Sequence, residues 1–399
     1  VGGDGVMAKN QYKKELLKNN VEEMFIGPFG SSLKNECFVD EEDAYCMVYE
    51  QKHAIQKTLD GKNRFVDKNK YYELKRFTIK PGDIIVSCRG TIGETFIVPE
   101  NAPLGIMHPS IMKIRLKPNV YNIEYFNLLL KNRLKDYNKS ANGSGIKMAI
   151  SATELGKEMF PIPPMDEQQK VSKIFLTVDR LIVLRQQQLA KLDELVKARF
   201  VEMFGDVLLN SMQWPEKTLE NMANIVSGIT KGRKTAEADL QEVPYMAVSN
   251  VKDGYIDWTT VKTILATRQE IEQYRLMPDD ILMTEGGDPD KVGRGAIIKV
   301  PLKNSIHQNH IFRVRLDEQE ILPSFFAEYL RHQKAKRYFL GCAKQTTGIA
   351  SINMRQLRAL PTLVPPLSLQ KQFAAFVERV DQQKQTVQQS LEKLELMKK

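Results

Sequence analysis

One unit of about 200 residues occurs twice in this 399-residue chain, and that repetition limits the folds open to it. The clearest match joins Phe160-Pro-Ile-Pro-Pro-Met-Asp-Glu-Gln to Leu363-Val-Pro-Pro-Leu-Ser-Leu-Gln. Pro163-Pro164 precedes Pro365-Pro366 by 202 positions, and the same offset carries Asp179 onto Asp381, Lys191 onto Lys393 and Leu192 onto Leu394. Further upstream, Lys80-Pro-Gly-Asp-Ile-Ile-Val resembles Met277-Pro-Asp-Asp-Ile-Leu-Met, and Pro109-Ser-Ile-Met-Lys-Ile-Arg-Leu resembles His310-Ile-Phe-Arg-Val-Arg-Leu. Each copy then has a basic helical stretch, Lys131 to Lys139 and Arg331 to Arg337. A small polar loop follows each, Asn142 to Gly145 and Gln345 to Gly348.

After each Pro-Pro comes a long helical pattern. The first is predicted from about Asp166 to Phe204, with Gly205 as its stop. The second is predicted from Ser368, a suitable N-cap, onward. In the first, Phe175, Ile182, Leu189, Val196 and Met203 recur every seven residues. Val171, Val178 and Leu192 take the other seam position, which Arg185 and Arg199 interrupt. In the second, Phe373, Val380, Val387 and Leu394 form one seam. Val377 and Leu391 form the other, which Lys384 and Lys398 interrupt. This 4-3 alternation is a coiled-coil signal, and the apolar face is narrower than a helix packed on a globular core needs. Between the helices the chain reads as mixed α/β. Strands are expected at Asp83–Ser87, Thr95–Val98, Asp280–Thr284 and Ala296–Val300, punctuated by Gly and Pro.

Composition narrows the function classes. No run of about 18 apolar residues occurs, so no membrane span is expected. Cys37, Cys46, Cys88 and Cys342 make no C-x-x-C pair, which argues against zinc and a disulfide scaffold and fits a cytoplasmic setting. The net charge of +9 is compatible with a polyanionic partner. The tools of an enzyme are not in evidence. Ile162 and Val364 stand where an amino-methyltransferase loop carries a polar residue before Pro-Pro, so these are read as helix-entry prolines. Gly228-Ile-Thr-Lys-Gly-Arg-Lys-Thr has the wrong spacing for a phosphate-binding loop. His307-x-x-His310 has no third ligand nearby and is read as structural, with no metal expected.

Two variable domains, each closed by a Pro-Pro-x-x-x-Gln motif and a long helix, resemble the specificity subunits of type I restriction-modification systems. Gly27-Pro-Phe-Gly-Ser-Ser-Leu-Lys, Trp214-Pro-Glu-Lys-Thr-Leu, Val243-Pro-Tyr-Met-Ala-Val-Ser-Asn-Val and His307-Gln-Asn-His-Ile-Phe-Arg-Val look like that family's motifs. One departure is Leu369, which replaces the acidic residue found at Glu167 in the first copy. The resemblance implies an α+β fold. Two mixed α/β target-recognition domains would be separated by two long antiparallel coiled-coil helices in an internal pseudo-two-fold repeat. The expected boundaries are residues 1–160 and 207–362 for the domains, and 161–206 and 363–399 for the helical spacers. Each domain would read one half of a split site in double-stranded DNA. The helices would set the gap and dock two methyltransferase subunits, through which restriction and translocase subunits join. S-adenosylmethionine and ATP would bind those partners, and this chain would have no catalysis or cofactor of its own.

Such a role asks for cations at phosphates and for Arg, Lys, Asn, Gln, Ser or Thr at base edges. The candidates are Arg89, Thr91, Ser144 and Lys147 in the first copy. In the second they are Lys231, Arg233, Lys234, Arg294, Lys344, Gln345 and Thr346. The expected helix seam is Phe175, Val178, Ile182, Leu189, Leu192 and Val196 with Phe373, Val377, Val380, Val387, Leu391 and Leu394. Two other classes stay open: a coiled-coil scaffold joining adaptor domains that do not bind DNA, and the recognition part of an enzyme acting in cis.

Overall fold

A tight turn leads into an inner strand of the main sheet of each copy, Ile84–Ser87 and Ile281–Thr284. In the first, Gly82 takes a left-handed φ of +79° behind Pro81, and the Asp83 carboxylate accepts from the Lys80 amide at 2.8 Å. In the second, Asp279 stands at +66° behind Pro278, and Asp280 accepts from the Met277 amide at 2.7 Å. Both aspartates are fully buried, and each receives a bidentate arginine: Arg115 at 2.7 Å through both nitrogens, and Arg315 at 2.7 and 2.8 Å. A buried carboxylate needs such a partner, which explains why Pro-x-Asp and the later Arg-Leu recur together.

The structure is a computed structural model and describes residues 12–141, 151–233, 239–288, 292–346 and 349–398. It divides into two units, Val1–Arg180 with Lys398 and Leu181–Met397 with Lys399, so the division falls within the first long helix. Unit 1 carries strands β1 (Val21–Ile26), β2 (Ile84–Ser87), β3 (Thr95–Ile97) and β4 (Ile111–Leu116) in the antiparallel order β1-β4-β2-β3. Unit 2 repeats it with β5 (Ala223–Ser227), β6 (Ile281–Thr284), β7 (Gly295–Ile297) and β8 (Ile311–Leu316) in the order β5-β8-β6-β7. A second sheet in each unit pairs one strand in parallel with the run-in to β4 or β8: Cys46–Tyr49 with Gly105–Met107, and Gln241–Met246 with Ile306–His307. A short pair then ties each unit's first strand to the segment entering Pro-Pro: Lys14–Leu16 to Met159–Pro161, and Glu216–Thr218 to Pro361–Leu363.

The long helices run Met165–Phe204 and Leu367–Met397, which at 1.5 Å per residue makes them about 60 and 47 Å long. Gly205 ends the first at φ +74°, where a Cβ would stand 2.5 Å from Ser211 Oγ. Within unit 2 the second helix packs antiparallel on the later part of the first. Phe373 meets Phe200 and Phe204 edge-on at 5.4 and 5.5 Å, Arg199 lies 5.9 Å over Phe376, and Lys384 bridges Asp193 at 2.6 Å. Leu192, Val196, Val380 and Val387 are buried there, while Leu189 and Val377 pack at the edge. Of the other seam positions, Val178 and Leu391 are buried and Phe175, Ile182 and Leu394 half-buried.

Two local expectations change. The basic stretch Arg331 to Arg337 is not one helix, because His332 is extended and ends Pro323–Arg331 before Gln333–Cys342 begins. The stretch expected as a polar loop after it starts as a strand, Lys344–Thr346, paired with Ile349–Ser351, which pairs in turn with Gly286–Gly287. The cysteines are free, and burial pushes the Cys46 and Cys88 thiols up to about 11 and about 12. They are inert at neutral pH. Among the described residues no helix is long and apolar enough to cross a membrane.

Candidate nucleic-acid interface

Antiparallel strands bring distant loops to one end of a sheet. In unit 1 that end collects the turn after β1, the turn between β2 and β3, and the entry to β4. Gly27 makes this possible, since a Cβ there would meet the His108 carbonyl oxygen at 2.3 Å. The Gly27 amide instead donates to Ile111 O at 2.9 Å. Gly90 and Gly93 supply the left-handed positions of the β2–β3 turn, at φ +65° and +86°. Arg89 and Thr91 are exposed on that turn. Phe29, 86% exposed, stands on the neighbouring turn between Pro28 and Gly30. Sequence reasoning noticed its motif but not the residue; Gly-Pro-Phe-Gly could have flagged an aromatic held on a turn with nothing to cover it. Ser144 and Lys147 lie outside the described residues.

Unit 2 builds the same end from the same parts. A Cβ on Gly228 would meet His307 O at 1.9 Å, so again only glycine lets the first turn cross the entry to the last strand. Lys231 is exposed on that turn beside Gly232 at φ +79°. Arg233 points elsewhere: its guanidinium forks onto Glu270 and reaches Leu265 O at 3.3 Å. Glu270 holds the Arg233 pKa above its usual value. Arg294 sits half-buried opposite Thr284, whose amide donates to the Arg294 carbonyl at 3.1 Å. Its Nε has no hydrogen-bond partner among the described residues, and it lines a cavity of about 240 Å³ with Arg331 and Lys336. Lys344 is exposed at the start of the small three-stranded sheet that continues from β6. Gln345 and Thr346 follow on the same strand, and Lys234 lies outside the described residues. One sheet end therefore gathers Lys231, Arg294, Lys344, Gln345 and Thr346 from separate segments of the chain, while Arg233 is engaged by Glu270.

The two histidines of His307-x-x-His310 do not act together. The His307 ring is fully buried with its nitrogens 3.3 and 3.2 Å from Tyr274 O and Val226 O, while His310 faces Glu285 at 2.6 Å. Burial holds the His307 pKa down to about 4 against the two carbonyls that favour its charged form. The corresponding buried position of unit 1 is Met107.

A fully buried cation also underlies each sheet. Lys113 is 1% exposed. It donates to Thr78 O at 2.9 Å, bridges Glu23 at 2.6 Å and lies 4.7 Å from the Phe25 ring centre. Its counterpart Arg313 donates to Asn224 Oδ1 at 3.0 Å and to Gln273 O at 3.2 Å. These cations are committed inside the fold and are not available to a ligand.

The long helices present a second surface. Besides the seam, the first carries exposed apolar residues at Ile174, Leu176, Val183, Leu184, Leu195 and Val201. They do not fall in one row: at about 100° per residue Leu176, Val183 and Val201 share one side of the helix, Leu184 and Leu195 a second, and Ile174 stands apart.

Comparison with known proteins gives a consistent result. A family model described as type I restriction modification DNA specificity domain matches residues 41–194 and 212–396. The chain is 22% identical over 266 residues to the type I restriction enzyme EcoKI specificity subunit of Escherichia coli K12, covering 64% of this chain and 56% of that one. It is 28% identical over 188 residues to a Methanocaldococcus jannaschii chain named for the specificity subunit of the MjaX type I enzyme, covering 47% and 44%. It therefore spans about half the length of these relatives. In structure it resembles a type I restriction-modification S subunit from M. genitalium, with a TM-score of 0.58 at 16% identity over 98% of this chain and 95% of that one.

Proposed function

Because the chain belongs to the family of type I restriction modification DNA specificity domains, we propose that it is the DNA-recognition subunit of a type I restriction-modification complex. Each domain reads one half of a bipartite site with the loops at the end of its main sheet. The long helices hold the two halves at a set gap and dock two methyltransferase subunits, with restriction and translocase subunits joining through those. The observation that carries this reading is the repetition itself: the same sheet order, the same glycine-crossed loop end and the same helix entry occur twice in one chain. The exposed apolar residues of the first helix outside its seam support the docking role. Exposed cations on turns suit phosphates, and Gln345 and Thr346 suit base edges.

On this reading S-adenosylmethionine and ATP bind the partners and catalysis is theirs. The test is reconstitution. The purified chain alone should transfer no methyl groups and cleave neither DNA nor ATP. With its methyltransferase partner it should methylate one split sequence with a fixed gap. Methyl transfer by the chain alone, or association with partners but no preference among DNA sequences, would overturn the proposal. The second outcome would favour an adaptor scaffold.

A further inference from the structure

Two glutamines, one at each helix entry, make the same three hydrogen bonds. Gln168 is 1% exposed and Gln370 is fully buried. The Gln168 amide oxygen accepts from the Asn122 backbone N–H at 2.8 Å, and its Nε2 donates to Val120 O at 3.1 Å and Pro163 O at 2.8 Å. The Gln370 oxygen accepts from the Leu322 N–H at 2.8 Å, and its Nε2 donates to Glu320 O at 3.1 Å and Pro365 O at 2.8 Å. Asn122 and Leu322 are the residues just before a helix of each domain, Ile123–Ala141 and Pro323–Arg331. Each glutamine therefore ties the first turn of a long helix to the first turn of its own domain's helix, and to the proline that starts the long one. A backbone N–H at a helix start has no partner inside its helix, so this bond satisfies a group that burial would otherwise leave unpaired.

We propose that Gln168 and Gln370 are positioning residues for gap selection: they fix the angle at which each long helix leaves its domain, and so carry helix length into the distance between half-sites. This rests on the reading of the chain as the recognition subunit. The short strand pairs Lys14–Leu16 with Met159–Pro161, and Glu216–Thr218 with Pro361–Leu363, hold the segment before Pro-Pro but not the helix after it. In both copies the glutamine reaches across the prolines, and in the first the Tyr12 hydroxyl also donates to Glu167 of the long helix at 2.5 Å. The glutamine side chain can do this only as an amide: one acceptor and two donors meet one N–H and two carbonyls, a pattern glutamate cannot supply and asparagine is too short to reach. A swivelling joint would let one complex settle on several gaps.

The test uses the full chain assembled with its methyltransferase partner. Gln168→Leu, Gln370→Leu and the double variant are assayed on duplexes that keep both half-sites and vary the gap by one base pair either way. The expected result is unchanged half-site preference, with discrimination between the native gap and its neighbours falling about tenfold for each variant, the size expected for losing one buried polar anchor. Folded variants that keep native gap discrimination within about twofold would overturn the inference and leave the recognition reading intact. Loss of half-site preference in the unaltered complex would overturn the recognition reading instead. Should the leucine variants melt below assay temperature, Gln168→Met and Gln370→Met carry the same comparison. Amide exchange in the unaltered chain then decides independently. Asn122 and Leu322 should be protected together with the first turns of the long helices, and exchange at open-loop rates would refute the tie.

Discussion

Four residues inserted after Gln187 of the first long helix test whether that helix measures the gap. Between Gln168, where the helix is fastened, and Asp193, where Lys384 bridges it, the helix advances about 38 Å at 1.5 Å per residue. The insertion makes this about 44 Å, a gain of about 6 Å, and turns everything beyond it by about 40°, since four residues slightly exceed one turn. Each added base pair contributes about 3.4 Å. The gain therefore caps the new gap at about two extra pairs. One base pair turns the duplex by about 34°, from about 10.5 pairs per turn, so a gap longer by one pair matches the rotation and is the expected outcome. The inserted residues should keep an apolar residue in phase with Ile182 and Leu189, both half-buried on the seam, so that the helix stays continuous. The readout is methylated-base sequencing of DNA modified by the mutant complex. A changed half-site with an unchanged gap would refute the reasoning, because it would place the helix in the reading surface.

Other expectations follow from single contacts. Replacing buried His307 by Met, the residue at the corresponding place in the first copy, should remove a pH dependence. With a folded pKa of about 4 against an ordinary 6.5, the unfolded chain binds more protons between those values, so stability is full above about pH 6.5 and falls by about 3 kcal/mol as pH drops toward 4. Melting curves across that window should differ between the two proteins, and identical slopes would refute the assignment. Asp83→Asn removes the bidentate carboxylate of Arg115 and leaves it only Glu23, at 2.8 Å, so it should cost about 3 kcal/mol, seen as a melting temperature lower by about 10 °C; a change under about 2 °C would show the pair to be dispensable. Lys231→Ala should flatten the salt dependence of DNA binding by about one unit, while Arg233→Met should leave the slope and lower thermal stability, since Arg233 is engaged by Glu270. The opposite pattern would put Arg233 on the DNA.

Much of the architecture was legible because its signals are local. Pro-Pro followed by heptads marked both long helices, and Gly205 stopped the first where a left-handed residue was needed. Ile84–Ser87 and Ile281–Thr284 announced themselves as apolar runs after a turn. What stayed hidden depends on partners far away in the chain. The role of Gln168 and Gln370 was not legible in their motif, because nothing nearby says that loops nearly fifty residues earlier will enclose them. Arg233 looked like one cation of a basic loop until Glu270 arrived from a different segment. Lys344 to Thr346 read as loop because the strand they pair with, Ile349–Ser351, is itself held by Gly286–Gly287 from far back in the chain, and pairing across that distance leaves no periodicity in the residues themselves. Lys113 and Arg313 are interior charges that nothing in the neighbouring sequence marks as buried.

The bridge between Lys384 and Asp193 also bears on how such a chain avoids tangling with its neighbours. A purely apolar seam is nearly periodic and tolerates sliding by one heptad, about 10.5 Å. Here a slide of that size would bring Lys384 level with Gln186 or with buried Phe200 instead of Asp193, and would part Phe373 from the Phe200 and Phe204 rings. In either direction the half-buried ammonium loses Asp193 and keeps only Asp381 of its own helix, at 4.0 Å, so the misaligned pairing is disfavoured. The same filter acts between molecules. In a cell making several different chains of this kind on neighbouring ribosomes, the helix of an unlike chain pairs here less well unless it offers an acid at the matching height, so one lysine favours the cognate helix as well as the cognate alignment.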